Sequence, residues 1–177
     1  MNSFKTPIRF GLIFAAVSIV IDLILYLINP AMMQNTMIRT LVFIASLAII
    51  SMAGLRYRDE LGGFIKWKSA MTSMFVCGMI IFITQTLFLL LFNEFIDSSA
   101  FESEKEQAIQ LIEKMRGMVG DEASDTQIEM ITNQKNLDFS RILNLIFGSI
   151  LISFLIAAIA ALFIKRDNPQ DRFEKYA

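Results

Sequence analysis

The sequence predicts an all-α membrane protein, a bundle of four transmembrane helices with an extracytoplasmic helical hairpin between helices 3 and 4. The main observation is four almost uncharged apolar runs, at residues 10–28, 37–55, 70–92 and 142–164. Each run has 19 to 23 residues, and a helix that rises about 1.5 Å per residue needs about 20 residues to cross the hydrocarbon core. The runs lack the alternation of barrel strands, and a helix satisfies all of its backbone groups inside lipid.

The composition argues against several functional classes. Hydrophobic residues make up 55% of the 177 residues and charged residues 19%, below the roughly one quarter of soluble domains. There is no histidine, which removes the commonest metal ligand and general base. The balance of 16 basic and 17 acidic residues offers no basic surface for nucleic acid. We therefore expect a protein that is not an enzyme, with no catalytic residue, metal site, cofactor or nucleic-acid partner.

The first run, 10–28, is interpreted as a retained span and not as a signal peptide. Its apolar core is longer than the core of a signal sequence, and no small-x-small cleavage site follows it. The third run contains Cys77, the only cysteine, which we interpret as a small packing residue because a thiolate would be disfavoured in an apolar span.

Basic residues in the flanks predict the orientation of the spans, because Lys and Arg near span ends are retained in the cytoplasm. They cluster beside the N-terminus, the link between spans two and three, and the C-terminal tail. These residues are Lys5, Arg9, Arg56, Arg58, Lys66, Lys68, Lys165, Arg166, Arg172 and Lys175. The first outer link has only Arg39. Both termini are therefore expected in the cytoplasm, and residues 1–177 are expected to form one multi-pass membrane domain.

The insertion at 93–141 is predicted to be a helical hairpin outside the cytoplasm. It has eleven acidic and five basic residues. Ser98 or Ser99 is expected to cap a helix that ends near Met118, and a second helix is expected from Ser124 or Asp125. One apolar stripe on the first helix consists of Ala108, Leu111, Ile112, Met115 and Met118. Two interpretations stay open: the hairpin packs on itself or on the span ends, or it docks an extracytoplasmic protein.

Polar residues inside the spans predict a cluster in the outer half of the bundle. Asp22 is the only ionisable residue deep within an apolar run, and such residues face protein or water because lipid contact is costly. Gln85 lies at a matching depth of about 10 Å. Asn144 lies near the outer end of span four, and Arg39 has a long stem at the outer entrance. The cluster is interpreted either as a contact that joins helices or as a small polar binding site.

Two stripes of small residues predict close helix contacts, because small side chains let backbones approach in lipid. The first consists of Gly11, Ala15, Ser18 and Asp22, and the second of Ser149, Ser153, Ala157 and Ala161. For the second stripe we favour a contact within the chain over a contact with a second copy.

The link between spans two and three has the composition of a segment at the membrane surface. A Gly-Gly pair supplies a turn, and basic and aromatic residues suit anionic headgroups. The motif residues are Arg58, Asp59, Glu60, Gly62, Gly63 and Trp67. Residues 58–65, RDELGGFI, placed in the middle of four spans with a long polar insertion before the fourth, resemble the domain-of-unknown-function 4199 family of bacterial membrane proteins. The resemblance implies the bacterial inner membrane and a four-helix architecture, and it implies no activity, substrate or catalytic residue.

The functional expectation is a non-enzymatic accessory or interaction protein of the bacterial inner membrane. Its partners would be the lipid bilayer and either a second copy of the chain or an extracytoplasmic protein. The alternative is a small transporter or ion-coupled carrier that uses Asp22 and Gln85.

Overall fold

The protein is mostly helical within residues 4–33 and 35–166, the part of the chain that this computed structural model describes. The elements are α1 (Lys5–Ile28), α2 (Pro30–Met33), α3 (Thr36–Glu60), α4 (Trp67–Phe95), α5 (Ser99–Val119), α6 (Asp121–Asn133) and α7 (Phe139–Ile164). Four of them, α1, α3, α4 and α7, are long and apolar enough to cross a membrane. The predicted all-α membrane bundle is therefore confirmed.

The described residues group into two compact units. The bundle unit contains the chain up to Thr86 together with residues from Ile146 onward, and the hairpin unit is Leu87–Leu145. Helices α4 and α7 contribute residues to both units. Arg172 and Lys175, two of the basic residues in the predicted orientation signal, lie outside the described residues.

In the connection between α1 and α3, individual residues determine where each helix begins and ends. Helix α1 ends at Ile28, and the side-chain oxygen of its C-cap Asn29 accepts a hydrogen bond from the Ala31 amide at 3.0 Å. Pro30 opens α2, where its missing N–H is not needed. Asn35 then caps α3 by accepting the amide hydrogen bonds of the next helical turn, from Met37 at 2.9 Å and from Ile38 at 3.3 Å.

The predicted turn between α3 and α4 is present. Gly62 and Gly63 have φ angles of 82° and 86°, a left-handed conformation that residues with a Cβ atom rarely adopt. The amide of Gly63 donates to the Arg58 carbonyl oxygen at 3.0 Å and closes the C-terminal end of α3. Residues 64–66 then lead into Trp67, the first residue of α4.

The small-residue stripe of α1 is buried in the bundle unit, from Gly11 through Ala15 and Ser18 to Asp22. A Cβ atom added at Gly11 would lie 3.0 Å from Cβ of Ile80 and 3.1 Å from the carbonyl oxygen of Cys77. Glycine is needed at this point because α1 and α4 approach to backbone contact.

The small-residue stripe of α7 is buried as well and packs against α4 within the chain. Ser153 is 1% exposed, and a Cβ atom added at Gly78 of α4 would meet its Cβ at 3.4 Å. The ring of Phe75 packs edge to face against that of Phe154, with 6.2 Å between centroids. The core around this seam contains Ile50, Ala53, Tyr57, Ile65, Ala70, Met74, Cys77, Ile81, Ala157, Ala161 and Ile164.

The start of α1, the α3–α4 link and the end of α7 lie at one end of the bundle unit. Ile65 and Arg166 form an antiparallel bridge with two backbone hydrogen bonds of 2.9 Å. The ring of Phe4 stacks on that of Tyr57 with 5.8 Å between centroids. The basic residues of these segments that the structure describes are thus at the same end, as an even number of spans requires.

The hairpin unit contains α5 and α6 with boundaries that differ from the sequence prediction. Helix α5 continues through Gly117 to Val119, and its C-cap Gly120, with a φ of 94°, reverses the chain. Helix α6 starts at Asp121, three residues before the predicted Ser124. The prediction of its start was wrong because Gly120 joins the two helices without a loop, and Ser124 instead donates its hydroxyl to the Gly120 carbonyl oxygen at 2.8 Å.

The prediction that a serine side chain caps α5 with a hydrogen bond was also wrong. Ser98 occupies the N-cap position without a capping hydrogen bond from its side chain. The side-chain oxygen of Asp97 accepts the amide hydrogen bond of Ser99 at 2.9 Å instead. A carboxylate is favoured here because it also lies near the positive end of the helix dipole.

Candidate polar site of the bundle and the surface of the hairpin

Asp22 lies within α1 and is 2% exposed. A terminal nitrogen of Arg39 in α3 lies 3.4 Å from Oδ1 of this carboxylate, and the side-chain amide of Gln85 in α4 donates to Oδ2. One aspartate therefore joins three spanning helices. Because an unpaired buried charge is costly in lipid, both partners stabilise the folded bundle.

Two further contacts hold the partners of Asp22 in place. The Ser18 hydroxyl, one turn before Asp22, donates to Oε1 of Gln85 at 3.0 Å, so that the Gln85 amide nitrogen points at the carboxylate. Nε of Arg39 donates to the carbonyl oxygen of Met33 at 2.7 Å. Sequence reasoning assigned Ser18 only to a packing stripe; its position one turn from Asp22 was the signal that it also belongs to the polar cluster.

The structure brings together three of the four predicted cluster residues, Asp22, Arg39 and Gln85. Asn144, the fourth, lies in the part of α7 that belongs to the hairpin unit, and its side chain is exposed. Its participation stays a prediction.

A small cavity of about 140 Å³ borders this cluster. Arg39, Gln85 and Ser46 supply its polar groups, and the rest of the lining is aliphatic and aromatic. The guanidinium charge of Arg39 that faces the cavity is already compensated by Asp22. The cluster has the chemistry of a contact between helices.

A second polar contact joins α4 and α7 inside the bundle unit. The hydroxyl groups of Thr86 and Ser149 lie 3.0 Å apart at hydrogen-bonding distance. Hydroxyl pairs of this kind add modest stability between spanning helices, about 0.6 kcal/mol on average.

The predicted surface motif forms the connection between α3 and α4. Glu60 accepts a hydrogen bond from the Thr6 hydroxyl, and Asp59 lies 3.8 Å from the Arg58 guanidinium. The indole nitrogen of Trp67 donates to the carbonyl oxygen of Ala158 in α7 at 3.3 Å. These contacts show that the motif joins helix ends in addition to presenting basic and aromatic groups at the surface.

The hairpin unit contains a buried arginine that sequence reasoning missed. Arg141 is 8% exposed and donates to Glu104 of α5 at 2.7 Å and to the carbonyl oxygen of Asn136 at 3.1 Å. Its guanidinium also lies 4.3 Å from the centroid of the Phe101 ring. The Glu104 carboxylate, the Asn136 carbonyl oxygen and the Phe101 ring thus surround one cation and anchor α5 to the start of α7. An arginine immediately before an apolar run was the available signal, but flank arginines are usually solvated.

A second arginine joins α5 to α6 at the surface of the hairpin unit. Arg116 forms two 2.9 Å hydrogen bonds with Glu113 and an ion pair of 2.8 Å with Asp125. The hydrogen bonds from this guanidinium hold the pKa of the Glu113 carboxyl below its usual value. Both groups are solvated, so this network contributes little to stability.

The predicted apolar stripe of α5 is largely exposed. Leu111 is 58%, Met115 40% and Met118 85% exposed, whereas Ala108 and Ile112 are half-buried. The hairpin therefore leaves a row of large apolar side chains at its surface. Within the described ranges no group of three or more acidic or cysteine side chains is placed to hold a metal ion.

Four apolar helices joined into a bundle define an all-α, multi-pass integral membrane protein. The chain belongs to the family described as "Protein of unknown function (DUF4199)", whose profile matches residues 9–166. The resemblance seen in the sequence is thereby confirmed. Searches of curated proteins and of solved structures found no match.

Proposed function

We propose that this protein is a non-enzymatic interaction protein of the bacterial inner membrane, whose α5–α6 hairpin binds a protein partner outside the cytoplasm. The observation that supports this proposal is the exposed stripe of Leu111, Met115 and Met118 on α5. These residues follow one another by four and three positions and so share one helix face.

Exposed apolar residues on a charged helix have a different meaning from those on a spanning helix. The insertion 93–141 contains eleven acidic residues, which favours water as its surroundings. Contiguous apolar residues in water mark interaction surfaces, and methionine side chains adapt to varied partner shapes. A helix with an apolar face fits the groove of a partner protein, with anchors at four- and three-residue spacing.

The proposed orientation rests on the basic flanks. The start of α1, the α3–α4 link and the end of α7 share one end of the bundle unit, and the basic residues of those segments favour the cytoplasm for that end. The hairpin lies between α4 and α7 in the chain and, in this topology, faces the opposite compartment.

Site-specific photo-cross-linking in native membranes tests the proposed partner surface. A photo-reactive amino acid at Met115 should yield one adduct of defined mass, and the same probe at Glu106, on the opposite face of α5, should not. Met118→Glu should abolish the Met115 adduct because it places a charge in the stripe. Equal adducts at Met115 and Glu106, or none at Met115, would contradict the proposal. An adduct of twice the chain mass would identify a second copy as the partner.

An ion-coupled carrier is the second candidate function. It is favoured by the cavity of about 140 Å³ beside Arg39 and Gln85 and by the presence of an ionisable residue, Asp22, within a span. The partnered and buried state of the Asp22 carboxylate supports a structural role instead.

Solvent access at position 22 separates the two candidates. Asp22→Cys on a Cys77→Ser background should be shielded from membrane-impermeant thiol reagents on both sides if the cluster only joins helices. Labelling from one side would favour the carrier. Asp22→Asn supplies a second criterion, since a lower thermal stability without any change in ion or solute flux in proteoliposomes favours the structural role.

A further inference from the structure

A groove in the bundle unit runs between α1 and α3 and has a volume of about 650 Å³. Arg9 of α1 and Arg56 and Glu60 of α3 line one end of it, and Ile13 and Val17 line its wall. The charged end is the end where α1 begins and α3 finishes, since Thr6 donates its hydroxyl to Glu60. The groove therefore has one polar and one apolar part.

The polar end of the groove has an excess of positive charge. The guanidinium groups of Arg9 and Arg56 have no side-chain partner anywhere in residues 4–33 and 35–166, whereas the Glu60 carboxylate accepts the Thr6 hydroxyl. Two cations and one carboxylate give this polar end, the mouth of the groove, a net positive charge. Paired guanidinium groups bind phosphate oxygens with several charge-assisted hydrogen bonds.

The apolar part follows α1 away from the charged end of the groove, along a helix long and apolar enough to span a membrane. Val17 is eight residues from Arg9, which corresponds to about 12 Å along the helix. Ile13 and Val17 are 54% and 48% exposed, so the wall is open to lipid. A free phosphate would use only the mouth, whereas a phospholipid would use the mouth and the wall together.

We propose that this groove binds one anionic glycerophospholipid, with its phosphate between Arg9 and Arg56 and one acyl chain against Ile13 and Val17. The groove volume lies within the range of about 300 to 1,000 Å³ of small-molecule sites. Glu60 at the mouth can accept a hydrogen bond from a glycerol headgroup. A zwitterionic choline headgroup offers no hydrogen-bond donor and no net charge, and therefore fits less well.

Native mass spectrometry of the full chain, delipidated in mild detergent, tests this assignment. Phosphatidylglycerol should be retained in one-to-one stoichiometry more tightly than phosphatidylcholine with the same acyl chains. Glycerol phosphate, which lacks acyl chains, should show no adduct. The double variant Arg9→Gln and Arg56→Gln should lose about tenfold or more in affinity for phosphatidylglycerol, since basic groups near the membrane surface each contribute attraction to anionic lipid.

A matched pair of lysines at the same end of the bundle unit supplies the charge control. Lys68 and Lys165 are exposed and do not line the groove. Lys68→Gln with Lys165→Gln removes the same charge and should leave the affinity for phosphatidylglycerol within about twofold, because neither lysine reaches the groove. Equal losses in the two double variants, or equal retention of the two lipids, would overturn the proposal in favour of general surface attraction.

A second pair of variants tests the acyl-chain part without changing charge. Ile13→Trp adds a large ring to the groove wall, whereas Leu12→Trp adds the same ring at a neighbouring exposed position outside the groove. The Ile13 variant should bind phosphatidylglycerol several times more weakly than the Leu12 variant. Equal binding by these two variants would refute an acyl chain in the groove.

Discussion

The helices of the bundle unit and the helices of the hairpin unit are joined, each within its own unit, by side chains of different chemistry. In the bundle unit the contacts between helices consist of small residues such as Gly11 and Ser153, and the Asp22 carboxylate within α1 is paired with Arg39. In the hairpin unit the helices are joined by the arginines Arg141 and Arg116. Large apolar residues point outward in both units.

The surroundings proposed for each unit, lipid for the bundle unit and water for the hairpin unit, explain this difference. Lipid exerts no hydrophobic force that would drive helices together, so spanning helices rely on close approach and on internal hydrogen bonds. Their outward apolar residues contact lipid and need no protein partner. An apolar stripe in water is costly and indicates a binding surface. The same exposure of Leu or Met therefore has opposite meanings in the two units.

The largest expected effect tests the close packing of the bundle unit. Gly11→Leu should lower the free energy of unfolding by about 3 kcal/mol, since its Cβ would already lie about 3 Å from α4 atoms and overpacking costs about 1 to 3 kcal/mol or more. Gly148→Leu is the matched control, because a Cβ added there has nothing within 4 Å. Thermal unfolding in detergent measures both, and similar losses would show that side-chain size alone is responsible.

An intermediate effect is expected for the buried arginine of the hairpin unit. Arg141→Gln should cost about 2 kcal/mol, since it removes charge-assisted hydrogen bonds and a cation–π contact. Amide hydrogen exchange in α5 should accelerate accordingly. Arg116→Gln, at a solvated site, should leave this exchange unchanged. If both variants accelerate exchange equally, burial does not distinguish the two arginines.

The smallest expected effect concerns pH at the start of α7. The Ser140 hydroxyl and then its amide donate hydrogen bonds to Asp138, and they hold the pKa of this carboxyl below its usual value of 3.8. Because the folded pKa is lowered, the stabilisation is present above pH 3.8 and is lost as the pH falls through the folded pKa. The NMR shift of the Ser140 amide should titrate with a midpoint below 3.8, and Asp138→Asn should abolish this titration.

Sequence patterns were sufficient for the spans and for part of the polar cluster. The apolar run 37–55 lies inside α3 at Thr36–Glu60, and the other three runs lie inside their helices in the same way. The helices extend beyond the runs because capping residues and interfacial polar residues continue a helix past the apolar segment. Matching depth on parallel spans was enough to pair Asp22 with Gln85, because helix rise converts residue number into depth.

The periodicity of apolar residues and the cost of burying polar groups in lipid can be judged from local sequence. These two properties alone predicted the four spanning helices, the buried stripes of small residues and the burial of Asp22. Only the tertiary structure decided which groups form hydrogen bonds with each other. These pairs are Ser18 with Gln85, Arg39 with Met33, and Arg141 with Glu104. It also decided that Gly120 joins α5 to α6 without a loop and that Arg9 and Arg56 share one groove. These contacts depend on the rotation of each helix about its axis and on side-chain conformation, which packing between helices determines.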